Sequence, residues 1–433
     1  MAAVSSDFVA NRMVEHHLRG ALSDELDARP PTDLSAPAIA ACLTVVTTEA
    51  ERRLEDAWLA DFARSHRPSA ARGADSHLEF TAPDFQLKCE RHTEFTSYFV
   101  YGQVPEDFSS SQTLAELFPG IAWGSLPGRL LHLCIVELQQ LGKGYPNASL
   151  GQEQPRVASV VASGAAIVCS AYRVCEGGYT LFHVAPRDQR PHVLGRVVQA
   201  VHEIESYRMM SMLALPLARD VIRAVSEGER QLAELSGHLV FGSRRSDDEL
   251  LERLLALAAE VERSVELTQF RFSAAAAYYA LVQKRIEDLC EVAANGEATI
   301  GRFLERRLAP AMRTCETAAA RQQSLSKRIH RAAMLLRTRV EIARHHEATS
   351  MLAALNQRVH LQLRLQQTVE GLSIVAMTYY GVALAAYLLK GMRAFWPGLE
   401  LDVAVAATAP LIAFIVWFAI RRIRRAGDSA RRA

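Results

Sequence analysis

Gly371–Leu389 reads GLSIVAMTYYGVALAAYLL, and Val403–Ile420 reads VAVAATAPLIAFIVWFAI. Neither stretch holds a charge. Crossing the hydrocarbon of a bilayer takes about 20 apolar residues, so both are expected to be transmembrane helices, the second at the lower limit of length. Only residues 390–402 link them, which predicts a hairpin with both ends on one side. Orientation follows from Arg and Lys. Arg358 and Arg364 precede the first span, and Arg421, Arg422, Arg424, Arg425, Arg431 and Arg432 follow the second. The link carries Lys390 and Arg393 against Glu400 and Asp402. Both termini are therefore expected in the cytoplasm, with Met392 and Arg393 in an outer loop. Trp396 and Trp417 stand where interfacial anchors are expected.

Working back from the first span, no Pro or Gly interrupts the chain between Pro310 and Gly371. Pro310 suits the first turn of a helix. A helix running from there to Leu389 would measure roughly 120 Å at 1.5 Å per residue. Leu325, Ile329, Leu336, Val340, Leu352, Leu355 and Val359 supply one apolar stripe along it. Upstream, Leu194–Leu235 and Asp247–Ala294 are helical by period, with breaks at Gly237, Gly242 and Gly296. Charge is split between these segments. From His202 to Glu291 there are 16 acidic against 11 basic residues, and from Glu297 to Arg364 there are 5 against 13. Mutual packing of the helices accounts for that split, and contact of the basic end with anionic headgroups is the alternative.

The N-terminal third reads differently. Ala38–Thr47, Leu78–Arg91, Glu94–Tyr101, Leu130–Gln139, Val157–Tyr172 and Tyr179–Ala185 are strand candidates, with a helical pattern over Glu49–Ser65. The fold class is α+β: a mixed cytosolic domain, then long antiparallel or coiled helices, then the two-helix transmembrane hairpin. The expected divisions are an arm over 1–35, the mixed domain over 36–193, a helical stalk over 194–370, the hairpin over 371–420 and a basic tail over 421–433. Glu90–Phe95 and Val168–Tyr172 also hint at an internal duplication.

Composition limits the partners. The chain has 433 residues, 49% apolar and 22% charged, with a net charge of +1. Nothing in that balance points to nucleic acid. Seven cysteines without a C-x-x-C pair fit reduced thiols rather than a disulfide framework. The first 19 residues lack the apolar core of a cleaved signal peptide.

Several residue groups are candidates for chemistry. Glu370, Ser373, Met377, Tyr380, Leu384, Tyr387 and Gly391 fall on one face of the first span. That stripe fits a helix-packing seam or, in an oligomer, a pore lining. Glu90, His92 and Glu94 would share a face if their stretch is extended, giving a metal or acid–base set; solvated or structurally hydrogen-bonded side chains are the plainer reading. His202, Glu203, Glu205 and Arg208 make a polar cluster on one helix, as do Glu341, His345 and His346. Arg29-Pro30-Pro31 is expected to dock the arm into a groove of its own domain, with anion binding by Arg19 and Arg29 as the alternative. Gly142-Lys143-Gly144 lacks the spacing of a phosphate-binding loop, and no H-E-x-x-H or G-x-S-x-G is found. The bound metal and cofactors stay unknown, and the reading favours a non-enzyme.

Gln366-Gln367-Thr368-Val369-Glu370-Gly371-Leu372-Ser373, Thr378-Tyr379-Tyr380 and Lys390-Gly391 resemble the closing segment of a bacterial family, domain of unknown function 3422. Ala28-Arg29-Pro30-Pro31, Glu90–Phe95, Gly195-Arg196, Glu203-Ile204-Glu205 and Tyr207-Arg208-Met209 extend the resemblance over nearly the whole chain. Asp27 and Ala171 depart from its pattern. The resemblance implies membrane-anchored architecture in the bacterial inner membrane, and no activity. In layout alone the chain is also similar to CorA-type magnesium channels. Those end their first span in Gly-Met-Asn, whereas this chain has Gly391-Met392-Arg393, and a ring of arginines would repel a cation. The expected function is a membrane-anchored cytosolic sensor or scaffold, homo-oligomeric through its long helices and partnered by the lipid bilayer. The alternative is a CorA-like channel or transporter lined by the first span.

Overall fold

A computed structural model describes residues 16–19, 31–66, 70–74, 77–140, 157–241, 247–392 and 401–430. The chain falls into two units, Met1–Ala333 and Met334–Ala433.

Among its described residues the first unit has ten strands: β1 (Ala38–Val46), β2 (Ala70–Ala74), β3 (His77–Thr81), β4 (Phe85–Arg91), β5 (Phe95–Gly102), β6 (Arg129–Leu138), β7 (Val157–Val161), β8 (Ala166–Val174), β9 (Thr180–Pro186) and β10 (Val292–Ala293). They form one sheet in the order β10-β7-β8-β9-β6-β1-β5-β4-β3-β2. Every pairing is antiparallel except β6 with β9. β1 lies in the interior of the sheet, so its run of small and branched residues is covered on both faces, and all but its last residue are buried.

Helix α1 (Glu49–His66) covers one face. It begins in a capping box, where the Thr48 backbone N–H donates to Glu51 at 2.8 Å and the Glu51 N–H donates back to the Thr48 hydroxyl at 3.3 Å. Its Leu59 and Phe62 join Ile39, Leu43, Leu87, Val100 and Ile135 in the main apolar core. A short helix, α2 (Leu114–Leu117), adds Leu114 and Leu117 to it. Helix α3 (Pro191–Met212) packs on the opposite face against β1 and β6. Pro191 opens it at a position where its missing N–H costs nothing. Two more helices follow, α4 (Ala214–Phe241) and α5 (Asp247–Asp288), packed on each other, with α5 also against α3.

Three expectations are corrected here. The run Leu78–Arg91 is two strands, because a turn at residues 82–84 closes with the Ala82 N–H donating to Phe85 at 2.9 Å, and Pro83 within it has no N–H for a ladder. The run Val157–Tyr172 also divides, at Ala162–Gly164, where Ala162, Ser163 and Gly164 take φ of 50°, 55° and 96°. The hinted duplication is not repeated in three dimensions: Glu90–Phe95 spans a hairpin turn, whereas Val168–Tyr172 lies within β8.

Helix α6 runs from Ile300 to Met392. Pro310 is inside it and not in its first turn. Thr299 caps its start locally, accepting from the Arg302 N–H at 3.2 Å, and more distant groups add to it: the Ile300 N–H donates to the Ser159 hydroxyl at 3.1 Å and the Gly301 N–H to Glu291 at 2.8 Å. The cap from Ser159 is tertiary, so local sequence announces Thr299 and not Ser159.

The second unit holds the rest of α6 and helix α7 (Leu401–Ala430). Both are long and apolar enough to cross a membrane. Within this unit the two helices touch at Gly381, where an added Cβ would sit 2.7 Å from Ile412 Cγ2. A small residue is what lets two apolar helices approach this closely.

Candidate functional site

Of the stripe on the apolar part of α6, Glu370 and Ser373 are half-buried and the other members are exposed, away from the contact with α7. Ile374, Thr378, Gly381, Val382 and Ala385 are half-buried in the hairpin, whereas Met377, Tyr380, Leu384, Tyr387 and Gly391 are exposed. Tyr380 and Tyr387 are 72% and 74% exposed. Ser373 satisfies its hydroxyl on the Val369 carbonyl at 2.8 Å, and Gln366 donates to Glu370 at 3.4 Å. Met392 is the last residue of α6 and not a loop residue; Arg393 and Trp396 lie outside the described residues.

Glu90, His92 and Glu94 do not converge. β4 ends at Arg91, and residues 92–94 form the hairpin turn into β5, closed by the His92 N–H donating to Phe95 at 2.8 Å. Glu90 is buried under α3 and pairs with Lys88 Nζ at 2.8 Å. The His92 ring stacks on Phe95 at 4.2 Å. Glu94 turns to Arg271 and Tyr278 on α5. Among the described residues no three His, Cys, Asp or Glu side chains are grouped to hold a metal. Glu341, His345 and His346 stand on an exposed stretch of α6 in the second unit.

The polar cluster on α3 has a different fate. Strand alternation turns Lys88, Glu90, Ser97, Cys42, Thr44, His132 and Cys134 toward that helix. Glu205 is fully buried there and receives both forks of Arg208, at 2.9 and 2.7 Å, with His132 Nε2 at 3.2 Å. Burial alone would raise the Glu205 carboxyl, but Arg208 and His132 outweigh it and hold it at about 2. Burial raises the Tyr172 phenol well above its usual range, and Glu205 adds to that. Burial lowers the His202 imidazole to about 3 despite its contact with the Ala40 carbonyl, so the ring is neutral. Burial likewise raises the Cys42 thiol to about 12, beside Ser206 and Thr44.

Next to this layer is a cleft of about 710 Å³. Its walls are the exposed edge of α3, the end of α5 and the β7–β8 turn, with Pro31 of the arm on one side. The arm is pinned there because Gly195 leaves α3 bare: a Cβ would stand 1.8 Å from the Thr32 carbonyl oxygen. The Leu34 N–H also donates to the Pro191 carbonyl at 3.2 Å. The arm thus docks on its own domain at Pro31 and Thr32; Arg29 and Pro30, like Gly142–Gly144, lie outside the described residues. Arg19 is exposed on a short described piece, 16–19.

Glu203 projects from α3 into the cleft. Gln199 donates to it at 2.8 Å, and Arg285 of α5 pairs with it from the other wall. Burial holds the Glu203 carboxyl above the usual range, with Arg285 pulling the other way. Arg285 also reaches Asp288 at 3.4 Å. Three non-glycine residues in the left-handed region, Ala162, Ser163 and Cys290, line the same cleft. Such strained conformations persist only where the surroundings impose them, and they cluster at functional sites. A carboxyl shifted by burial, paired with a cation and set in a cleft, is a functional-site signature.

Sequence reading found Glu203 but missed Arg196, Arg285, Asp288 and Ser163. A signal for the first was present. Arg196, Gln199 and Glu203 recur at helical spacing between the apolar positions Val193, Val197, Val201 and Ile204, which marks a polar edge on a buried helix. Arg285 gave none, since only the packing of α5 on α3 brings it to Glu203.

The family described as protein of unknown function (DUF3422) matches the chain over residues 14–426. No curated protein matches it.

Proposed function

The chain belongs to the DUF3422 family, and on that premise we propose that it is a two-pass inner-membrane protein whose cytosolic domain senses a ligand or scaffolds partners, working as a homo-oligomer. The cytoplasmic placement of both termini rests on the arginines that flank the hairpin. A sensing role draws support from the cleft beside α3. Self-association rests on one observation above all. Within the second unit α7 leaves Tyr380 and Tyr387 on an open face of the first span. In hydrocarbon a phenol hydroxyl without a partner is costly, and a second copy of the same face supplies one.

The test is disulfide trapping in native membranes. In the chain carrying Tyr380→Cys, oxidation should give a covalent dimer. A cysteine at Thr378, on the face turned to α7, should not. Efficient trapping at Thr378 and none at Tyr380 contradicts the arrangement. A purified ring with this span on its axis would move the reading to conduction, and a monomer would remove self-association.

A further inference from the structure

We propose that the cleft beside α3 binds a small soluble molecule through an oxyanion, a phosphate or a carboxylate, held by Arg196 and Arg285. Charge is the first reason. The lining carries Arg190, Arg196 and Arg285 against Glu203 and Asp288. Glu203 is engaged by Arg285, Asp288 by Arg285 and, at 3.1 Å, by Lys284, and Arg190 is held by Asp188 at 2.5–2.6 Å. Arg196 therefore has no counter-ion among the described residues, although it shares the cleft with a paired guanidinium. With Asp188 counted the charges of the site balance, and the cation left to meet a ligand is the exposed Arg196, whose guanidinium matches the planar oxygens of carboxylate and phosphate.

Size is the second reason. A volume of about 710 Å³ lies in the range of small-molecule sites, roughly 300–1,000 Å³. The third is the presence of groups that recognise the rest of a ligand. Glu203 accepts hydrogen bonds at the wall, Gln199 supplies an amide, and Ser163 presents a hydroxyl from a backbone held at φ 55°. The preferred ligand therefore carries an anionic group at one end and hydrogen-bond donors at the other. This gives a ligand class to the sensing role proposed above. Failure of binding would leave anchorage and self-association, which are measured separately, untouched.

The experiment uses the full chain in nanodiscs of zwitterionic lipid. Inorganic phosphate and succinate are titrated calorimetrically at constant ionic strength, with chloride as the balancing anion. Saturable binding of either probe is expected, and the stronger of the two identifies the oxyanion. Arg196→Ala should weaken it by about tenfold or more, the usual weight of a charge-assisted hydrogen bond. Arg253→Ala, on an exposed edge of α5, should leave it unchanged. Ala200→Trp fills the cleft while keeping every arginine and should abolish binding; thermal melting confirms that each variant is folded. The proposal is overturned if neither probe saturates, if Arg253→Ala weakens binding as much as Arg196→Ala, or if folded Ala200→Trp binds like the parent.

Discussion

The two faces of the ten-stranded sheet bury side chains to similar depth but of opposite character. Toward α1 lie Ile39, Leu43, Leu87, Val100 and Ile135, with one buried acid, Glu55, held by Arg91 at 2.8 Å and by Tyr98. Toward α3 lie Lys88 and Glu90, only 2% and 4% exposed, with His132, and they meet His202 and Glu205 of that helix. The first face is an ordinary apolar core, worth about 25 cal/mol per Å² removed from water. The second is a layer in which each charge is tolerable only because a partner meets it. One strand alternation therefore yields a face that supplies stability and a face that consumes some of it. The cleft opens beside the second face, which fits a division in which one side holds the fold and the other serves the ligand.

Breaking one partner on the polar face should have the largest effect. Arg208→Ala leaves Glu205 buried without its bidentate cation, and a loss of about 3–5 kcal/mol is expected in chemical denaturation. Ile135→Ala on the apolar face should cost about 2–5 kcal/mol through transfer and cavity terms. Their pH profiles will separate them, because only the first removes a titrating network.

Acid provides the second contrast. The His202 pKa falls from 6.5 to about 3 on folding. The unfolded chain therefore takes up a proton first, so the stability His202 contributes is fully present above pH 6.5 and is lost as pH falls toward 3. Glu205, lowered from 4.5 to about 2, acts in the same direction only below about pH 4.5. Between pH 6.5 and 4.5 His202 lowers stability as pH falls, while Glu203, whose carboxyl burial raises above 4.5, works against it. Melting temperatures across that window should fall for the parent chain and stay flatter for His202→Leu. An equal slope in both would remove the role given to the ring.

The smallest effect sharpens the comparison most. Replacing Lys88 and Glu90 together by Met and Leu deletes a buried pair at once, leaving the buried His77, 3.9 Å from Glu90, without that carboxylate. Stability should change by about 1 kcal/mol or less, or rise. A drop as large as that of Arg208→Ala would show that the pair stabilises the fold rather than merely being accommodated by it.

Legibility in the sequence tracked the range of the interaction. Helix α1 was readable from its period over Glu49–Ser65, and the two apolar helices from uncharged runs. Fold class followed from strands mixed with helices. Longer-range features were not readable. Beyond its local cap at Thr299, the start of α6 is held by Ser159, 141 residues before Ile300. The extended reading of Glu90, His92 and Glu94 failed because pairing with β5 demands a turn where the side-chain pattern alone allows a strand. Of the candidate cleft, Glu203 stood out as a charge on an apolar helix, whereas Arg285 is joined to it only through helix packing.

In the proposed arrangement the hairpin spans the inner membrane with the α+β domain and both ends in the cytoplasm. The most direct measurement is reporter topology in intact bacterial cells. A fluorescent protein fused after Ala433 should fluoresce, alkaline phosphatase fused there should be inactive, and a cysteine placed between residues 393 and 400 should react with an impermeant maleimide. Active phosphatase at the C-terminus, or a link that is labelled only after lysis, would contradict the account.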